Sequence, residues 1–185
     1  MPALSLDPRS IAPYRIVASG REHVVAIAAI EQVAATRFPH EDLPEELRYE
    51  VTDRGTLVEA QRAGLLWVAV DDRGRPVGFA LAEELALELC LCEIDVLPEH
   101  GRRGIGTRLV ASVIDAARSR RFATVSLITF RHLPWNAPFY EKLGFCPIAT
   151  ADLGPELAAM MSEDAAAGID TSKRVAMRLI LEPVS

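Results

Sequence analysis

Cysteine is scarce in this sequence, which has three cysteines in 185 residues. This small, odd number is too few for the disulfide framework of a small secreted domain. Cys90 and Cys92 lie two residues apart in an apolar run, which puts both side chains on one face of a strand, so we expect ordinary buried residues. Neither a CxxC pair nor a Cys/His ligand spacing is present, and the sequence therefore predicts no metal site.

Long apolar runs are also missing. A membrane span needs about 18 residues with few or no charges, and no run in the sequence approaches that length. Residues 1–13 lack the basic and apolar regions of a secretory signal, so we expect a cytoplasmic protein with no membrane partner. The size and average composition predict a single domain over residues 1–185. Its core spans about 14–150, followed by a peripheral excursion at 151–172 and a closing strand at 174–182.

Positive charge is in deficit overall, with a net charge of −6. This deficit argues against a nucleic-acid partner, because nonspecific binding to nucleic acids needs a basic field. The arginines are concentrated in one part of the chain, a pattern that suits a small polyanionic ligand. They are Arg102, Arg103, Arg108, Arg118, Arg120, Arg121 and Arg131. Arg118, Arg120 and Arg121 have a second explanation, because they lie at the end of a predicted helix, where cations interact favourably with the helix dipole.

Strand and helix patterns alternate along the chain. Strands are predicted at 14–18, 65–70, 77–81, 89–97, 123–130 and 174–181, with another beginning at Phe145. Residues 80–91 (ALAEELALELCL) are rich in helix formers, yet we place two strands there with a reversal near Ala86. The pattern predicts an α/β fold with a mixed sheet and helices on both faces.

Helix signals fall between these strands. Ser19 and Glu22 have the spacing of a capping box before a helix that ends at Ala35. Residues 36–44 contain two prolines and predict a loop, with Asp42 placed to cap a second helix starting near Pro44. A third helix is predicted at 57–63 and a fourth at 105–117. A short fifth helix follows Asn136.

A glycine-rich turn lies between the predicted strand at 89–97 and the helix after it. Residues 101–107 (GRRGIGT) have the glycine spacing of an NTPase phosphate loop, but Thr107 and Arg108 replace the required Lys and Ser/Thr. The same glycines fail the dinucleotide fingerprint, because Leu109 occupies its third glycine position. Both alternatives are therefore disfavoured, and the turn still predicts an anion site at a helix N-terminus.

Two segments resemble motifs of the GNAT superfamily of N-acetyltransferases. Residues 96–106 (VLPEHGRRGIG) are similar to its pyrophosphate-binding motif, (Gln/Arg)-x-x-Gly-x-(Gly/Ala) after a strand ending Val-x-Pro-Glu. Gly101 departs from that motif, and an arginine, Arg102, comes one residue later. Residues 135–145 (WNAPFYEKLGF) are similar to a later family motif, an asparagine before a helix that carries a tyrosine, then a Leu-Gly-Phe turn. The resemblance extends over about residues 67–145.

The resemblance implies a GNAT-like acyl-CoA N-acyltransferase fold, with a central, mostly antiparallel sheet whose middle strands splay apart. Acetyl-CoA, a co-substrate, is then expected between the strand ending at Val96 and the strand ending near Phe130. Backbone groups of Val96 and Leu97 and the side chain of Asn136 would bind the pantetheine arm. The diphosphate would be held by the loop and its arginines: Arg102, Arg103, Gly104, Ile105, Gly106, Thr107 and Arg108.

The resemblance also assigns the chemistry, which is direct attack of an amine on the acetyl thioester. Tyr140 is the candidate general acid for the leaving thiolate, although it could also be a packed aromatic residue. Glu93 is the first candidate base, Asp95 the second, and a mechanism with no dedicated base stays open. Glu93 and Asp95 alternate with Ile94, so both should lie on one face of the strand.

The acceptor is the least defined part of the prediction. The loop at 36–44 is expected over the mouth of the cleft, where Glu41 and Asp42 would attract a cationic amine and Phe38 and Trp135 would form walls. A solvated loop and simple packing residues are equally compatible with this pattern. We expect a small-molecule amine acceptor. A noncatalytic CoA-binding module, a protein N-terminal acetyltransferase and a homodimer all remain open.

Overall fold

The computed structural model of the protein describes residues 10–11 and 13–182. Its strands are β1 (Ser10–Ile11), β2 (Tyr14–Ala18), β3 (Leu66–Val70), β4 (Pro76–Glu84), β5 (Leu89–Val96), β6 (Thr124–Phe130), β7 (Cys146–Pro147) and β8 (Arg174–Ile180). Its α-helices are α1 (Arg21–Ala35), α2 (Arg54–Ala63), α3 (Ile105–Ser119), α4 (Ala137–Glu141) and α5 (Pro155–Ala166). These strands form one sheet in the order β1-β2-β3-β4-β5-β6-β8-β7.

The sheet is antiparallel except at its centre, where β5 and β6 run parallel. These two strands pair only from Leu89 to Leu91, opposite Val125 to Leu127. Beyond this point β6 continues to pair with β8, while the edge of β5 that faced β6 loses its partner. The predicted mostly antiparallel sheet with splayed middle strands is therefore confirmed.

Helices cover both faces of this sheet, as predicted. The apolar stripe of α3 packs on one face, where Leu109 and Val113 are fully buried. On the other face α1 and α2 bury Ile27 and Leu57 against β3 and β4. Because both faces of the middle strands are covered, their apolar residues need not alternate with polar ones. This explains why residues 80–91 form strands despite their helix propensity, with the predicted reversal between Glu84 and Leu89.

The start of α1 differs from its prediction. Ser19 is not the cap, because its N–H extends the β2–β3 pairing by donating to the carbonyl of Leu66 over 2.9 Å. The helix begins one residue later, with Gly20 at the N-cap, and the Gly20 N–H donates to Nδ1 of His23 over 2.9 Å. The imidazole therefore takes the place expected for the carboxylate of Glu22.

The segment after α1 also differs. Residues 36–44 form the predicted loop, but only a 3-10 turn, Glu46–Tyr49, follows it, and Asp42 does not cap a helix. The α2 helix begins before residue 57 because the Asp53 carboxylate accepts the Thr56 N–H over 3.1 Å. It ends as predicted at Gly64, whose φ of 69° is left-handed.

A β-bulge interrupts the pairing of β5 with β4. Leu81 lies opposite Glu93 and Ala82 lies opposite Leu91, so Cys92 is an extra residue with no partner on β4. Such an insertion shifts the side-chain alternation by one residue. The bulge lies directly after the last residue of β5 that pairs with β6.

The shift of alternation decides where the carboxylates of β5 point. Leu91 packs into the core on the α3 side before the bulge, and Ile94 packs against that same core after it. Without the extra residue, Glu93 and Asp95 would share the face of Leu91. With it, both carboxylates lie on the face covered by α1. The prediction that they share one face stands, and the bulge determines which face it is.

The two cysteines of β5 differ in exposure. Cys90 is buried in a small cluster with Leu157 of α5, as expected. Cys92 is exposed, so the prediction of two buried cysteines is wrong for this residue.

Candidate active site

A cleft of about 1380 Å³ opens where β5 and β6 diverge. Its floor is the unpaired half of β5, and its walls come from α1, α4, the end of β6 and the loop before α3. The cleft brings together most of the residues that the sequence singled out. It runs from the glycine loop at one end to the aromatic and acidic residues near α1 and β8 at the other.

The glycine loop adopts a conformation suited to anions. Gly104 is the N-cap of α3 with a φ of 78°, a left-handed value that favours glycine. Arg102 also has a positive φ, 57°. The first N–H groups of a helix have no acceptor within it, and they carry the positive end of the helix dipole. This loop and the first turn of α3 line the cleft through Arg102, Gly104, Ile105, Gly106 and Thr107.

The three arginines of this loop differ in whether they line the cleft. Arg102 lines the cleft. Arg103 turns toward β2, where its guanidinium lies 6.0 Å from the ring centroid of Tyr14 and donates to the Glu99 carbonyl over 3.4 Å. Arg108 lies one turn into α3, and its N–H closes the first turn on the Gly104 carbonyl. Arg102 is therefore the arginine of this group that borders the anion site.

At the end of β5, the expected contact of Leu97 with the pantetheine arm is limited to one backbone group. Val96 lines the cleft. The Leu97 N–H donates to the Val77 carbonyl over 2.9 Å, and the Leu97 carbonyl accepts from the His100 N–H over 2.8 Å. Because its N–H is already bound to Val77, Leu97 could meet a pantetheine arm only through its carbonyl, and that contact stays a prediction.

Asn136 lies at the N-cap of α4, where the sequence predicted it. Its backbone carbonyl accepts the N–H groups of Phe139 and Tyr140, but its side chain makes no capping hydrogen bond. The side chain lines the cleft. The helix therefore does not use its amide.

Tyr140 projects from α4 into the cleft and is 6% exposed. Its ring packs edge-on against Phe139 and Phe145. Among the residues that the structure describes, its hydroxyl has no hydrogen-bond partner. Burial, followed by the negative charges of Glu93 and Asp95, raises the pKa of Tyr140 above its ordinary value. The phenol is therefore a neutral donor at physiological pH.

Glu31, Glu93 and Asp95 are among the carboxylates that line the cleft, and they lie on the opposite side of the sheet from Tyr140. Desolvation, followed by the charge of Glu31, raises the pKa of Glu93 from 4.5 to about 7. Desolvation, followed by the charges of Glu93 and Glu31, raises the pKa of Asp95 well above its ordinary value. Glu93 is open to the cleft yet surrounded by protein on most sides, so water does not fully screen these interactions.

Glu31 is a site residue that the sequence analysis missed. It lies on α1, is 7% exposed, and accepts hydrogen bonds from the N–H and hydroxyl of Thr52. Burial raises the pKa of Glu31, against the opposing effect of these bonds. A signal was present in the sequence, because Glu31 follows Ile27 and Ile30 on the buried stripe of α1, where a lone charge is unusual.

These features lie within a region that matches a known family. Residues 27–145, more than half of the chain, match the family model described as the acetyltransferase (GNAT) family. The chain belongs to the GNAT acetyltransferase family. It is therefore an acyltransferase that uses acetyl-CoA as its donor, as the two motifs implied.

Solved GNAT structures share the fold of this chain. The ribosomal-protein-S18-alanine N-acetyltransferase from Escherichia coli is 21% identical, with a TM-score of 0.63, over 93% of this chain and 96% of that one. The PaiA N-acetyltransferase from Thermoplasma acidophilum, solved with coenzyme A, is 16% identical, with a TM-score of 0.66, over 91% and 99%. The N-acetylglutamate synthase from Neisseria gonorrhoeae is 16% identical, with a TM-score of 0.70, over 91% of this chain and 35% of that one.

The acceptor end of this GNAT cleft has an aromatic wall. Phe38 and Trp135 both line it, as predicted, with ring centroids 6.5 Å apart. Phe38 also packs on Phe130, with ring centroids 5.6 Å apart. The guanidinium of Arg37 lies 4.7 Å from the Trp135 ring. The loop at 36–44 therefore borders the cleft mainly through Arg37 and Phe38.

The acidic residues of that loop are placed differently from the prediction. Asp42 is 2% exposed, and its carboxylate pairs with Lys173 over 2.7 Å and His132 over 3.0 Å. Burial alone would raise the pKa of Asp42, but the hydrogen bonds and charges of both partners outweigh it and lower the pKa. Glu41 binds Lys173 through its carbonyl. Asp42 therefore fastens the loop, and the acidity at the acceptor end comes from Glu31, Glu93 and Asp95.

The segment predicted as a peripheral excursion also reaches the GNAT cleft. Asp164 of α5 pairs with Arg174 of β8 over 2.8 Å, and both residues line the cleft. The Arg174 guanidinium lies 4.6 Å from the ring centroid of Phe130. No local sequence signal identified this pair, because it depends on packing α5 against the end of β8.

Within residues 10–11 and 13–182, no helix has the combined length and apolar character that crossing a membrane needs.

Proposed function

We propose that this GNAT enzyme transfers the acetyl group of acetyl-CoA directly to the primary amine of a small cationic molecule. The observation that carries the proposal is the position of Tyr140 and Glu93. Tyr140 belongs to the core on the α3 side, Glu93 faces α1, and both open into the gap between β5 and β6. An acid and a base thus flank the gap in the sheet where a ligand can lie between β5 and β6.

The donor end of the cleft fits coenzyme A by its own chemistry. The N–H groups at the start of α3 and the side chain of Arg102 would hold the diphosphate. The free edge of β5 near Val96 would pair with the pantetheine arm as an added strand does, and the unused amide of Asn136 would bind the same arm. When bound there, acetyl-CoA supplies an acetyl group activated as a thioester.

The two titratable groups would then manage the protons of the transfer. An amine reacts only when it is neutral, and Glu93, with a pKa of about 7, can accept a proton from an arriving ammonium group near neutral pH. A new N–C bond forms as the C–S bond breaks. Tyr140 donates its hydroxyl proton to the departing thiolate sulfur. The second proton that the attacking nitrogen must lose, passed through solvent, restores the Tyr140 hydroxyl.

A small cationic acceptor is supported by the walls of the acceptor end. Glu31, Glu93 and Asp95 provide carboxyl groups there that can bind a cation when they are ionised, beside the guanidinium groups of Arg37 and Arg174. Phe38 and Trp135 narrow the entrance. The solved relatives include enzymes for proteins and for small molecules, so their likeness does not choose between these classes. A protein N-terminus is the alternative acceptor, and short peptides test it.

The test is thiol release from acetyl-CoA with a panel of small amines and short peptides. We expect turnover with amines, and we expect Tyr140→Phe to lower kcat by about 10²–10⁴-fold while CoA still raises the melting temperature. Tyr49→Phe is the matched control, because Tyr49 is an exposed tyrosine outside the cleft. Full activity in Tyr140→Phe would remove this residue from the mechanism. Thermal stabilisation by CoA without thiol release from any acceptor would indicate a noncatalytic module.

A further inference from the structure

A second cavity lies beside the acceptor end of the cleft, and α5 forms one of its walls. We propose that this cavity, which we call the α5 pocket, binds the far end of a dicationic acceptor, a primary amine that carries a second cationic group on an apolar spacer. The proposal rests on the acetyltransferase function above and adds the chemical class of the acceptor. It assigns a binding role to the segment at 151–172.

The α5 pocket is continuous with the reaction cleft. Its volume is about 430 Å³, within the range of pockets that hold small ligands. Cys92, Asp164 and Arg174 line both cavities, so an acceptor whose amine lies near Glu93 can extend into the α5 pocket without leaving the protein. The bulge at Cys92 therefore marks the junction of the two cavities.

The lining of the α5 pocket is apolar on some sides and acidic on others. Leu47, Ile128 and Met160 provide apolar surface, and Glu50, Glu83 and Glu163 provide carboxylates. Apolar surface suits a hydrocarbon spacer, and the carboxylates suit a cation at its end.

One cation offsets these carboxylates among the lining residues that the structure describes. It is Arg174, which already pairs with Asp164 over 2.8 Å. Among the described residues no cation pairs with Glu50, Glu83 or Glu163, and Glu83 accepts a hydrogen bond only from the Cys92 thiol, so these charges can act on a ligand. An acceptor with a terminal carboxylate would meet the same charges and be repelled.

The wall contributed by α5 lies beyond the residues that match the family model. The family match ends at residue 145, and α5 begins at residue 155. The helix is nonetheless fixed in place, because Leu157 is fully buried and the Asp164–Arg174 pair is largely buried. A fixed wall outside the shared family region is a reasonable source of acceptor specificity, since the donor end is the part that the family motifs describe.

Three acceptors with the same six-carbon chain separate charge from length. They are hexane with an amino group at each end (the diamine), hexylamine and ω-aminohexanoate. Their far ends are respectively cationic, apolar and anionic. We expect kcat/KM for the diamine to exceed that for hexylamine by about tenfold, the effect of one charge-assisted contact, with ω-aminohexanoate the poorest acceptor. Thiol release from acetyl-CoA measures all three.

Two substitutions in α5 test the location of the binding site. Met160→Trp fills the α5 pocket and Glu163→Gln removes a carboxylate from it, so each should lower kcat/KM for the diamine by about five- to tenfold while leaving KM for acetyl-CoA unchanged. Ala159→Trp, on the exposed side of α5, and Glu59→Gln, on α2, are the matched controls and should leave the diamine unaffected. Calorimetric titration of the diamine into the CoA complex measures binding without turnover.

Each result bears on the proposal. Equal kcat/KM for the three acceptors, or an unchanged diamine preference in Met160→Trp, would overturn it, as would a preference for a peptide N-terminus over the diamine. If CoA binds but no acceptor releases thiol, the acetyltransferase proposal fails separately. The titration then tests whether the α5 pocket binds the diamine. Diamine binding that is lost in Met160→Trp supports the proposed pocket, and absence of diamine binding overturns it.

Discussion

Glu93 gives the most direct test of the proposed chemistry, because its pKa lies within the range where enzymes are assayed. Desolvation and the neighbouring Glu31 raise the pKa of Glu93 from 4.5 to about 7. If Glu93 accepts the proton of the arriving amine, the active enzyme is the form with Glu93 ionised. About a tenth of the enzyme is ionised at pH 6 and about nine-tenths at pH 8.

The activity should follow that fraction. We expect kcat/KM to rise about tenfold between pH 6 and pH 8 and then to level off. In Glu93→Gln the acidic limb should disappear, and the plateau should fall by about 10²–10⁴-fold, the usual contribution of a general base. Glu59→Gln, an exposed carboxylate on α2, is the control and should keep the wild-type profile.

Stability supplies a second readout of the same pKa. A carboxyl whose folded-state pKa is raised favours the folded protein only while it is protonated, so its contribution is full below pH 4.5 and is lost as the pH rises through about 7. Glu93→Gln has no carboxyl to ionise, so its folding stability does not fall in this way as the pH rises. Above pH 7 the variant should therefore melt at a higher temperature than the wild type, although it is less active.

An acidic limb that survives unchanged in Glu93→Gln would refute this assignment. Asp95 would then be the residue to test, because its pKa is also raised and it lies in the same cleft. A limb that persists in Glu93→Gln and disappears in Asp95→Asn would move the base by two residues along β5. A limb that persists in both variants would leave the reaction without a dedicated base.

Two further substitutions test the donor loop and the acceptor loop. Gly104→Ala places a Cβ on a residue with left-handed backbone, so it should lower the free energy of unfolding by about 1–2 kcal/mol and raise KM for acetyl-CoA. The control is Gly154→Ala, at a residue with a φ of −64° and no atom near its would-be Cβ, and it should change neither quantity. Asp42→Asn weakens the contacts to Lys173 and His132 and should cost about 1–2 kcal/mol at pH 7. Because the pKa of Asp42 is lowered, its contribution is present above pH 3.8 and is lost as the pH falls further, so the two proteins should converge in acid. A difference that does not depend on pH would contradict this account of Asp42.

The donor end could be predicted because its requirements are local. A loop that wraps a diphosphate needs left-handed backbone before a helix, and glycine adopts that conformation readily, so Gly104 indicates such a loop in the sequence. The segment from Asn136 to Phe145 is local in the same sense, since its asparagine, tyrosine and glycine belong to one short helix and its ends. The splay of β5 from β6 was expected from the resemblance to the family, and strand pairing confirms it.

The acceptor end could not be predicted to the same depth, because it depends on distant contacts. Lys173 neutralises Asp42 from more than a hundred residues away, and Asp164 is held at the cleft by its ion pair with Arg174 on a different element. Glu31 was detectable as a charge on an apolar stripe, but its nearness to Glu93 required the packing of α1 on β5. Strand alternation predicted the common face of Glu93 and Asp95 and could not predict which helix that face meets.

The bulge at Cys92 makes the length of β5 as important as its side chains. Deleting this one residue would leave every charged group in the sequence and yet exchange the two sides of the strand beyond it. Ile94 would turn toward α1, and Glu93 and Asp95 would be pressed into the apolar layer under α3. Glu93, the proposed base, would then no longer lie on the opposite side of the sheet from Tyr140, so a single inserted residue determines how charge is divided between the two faces of the strand.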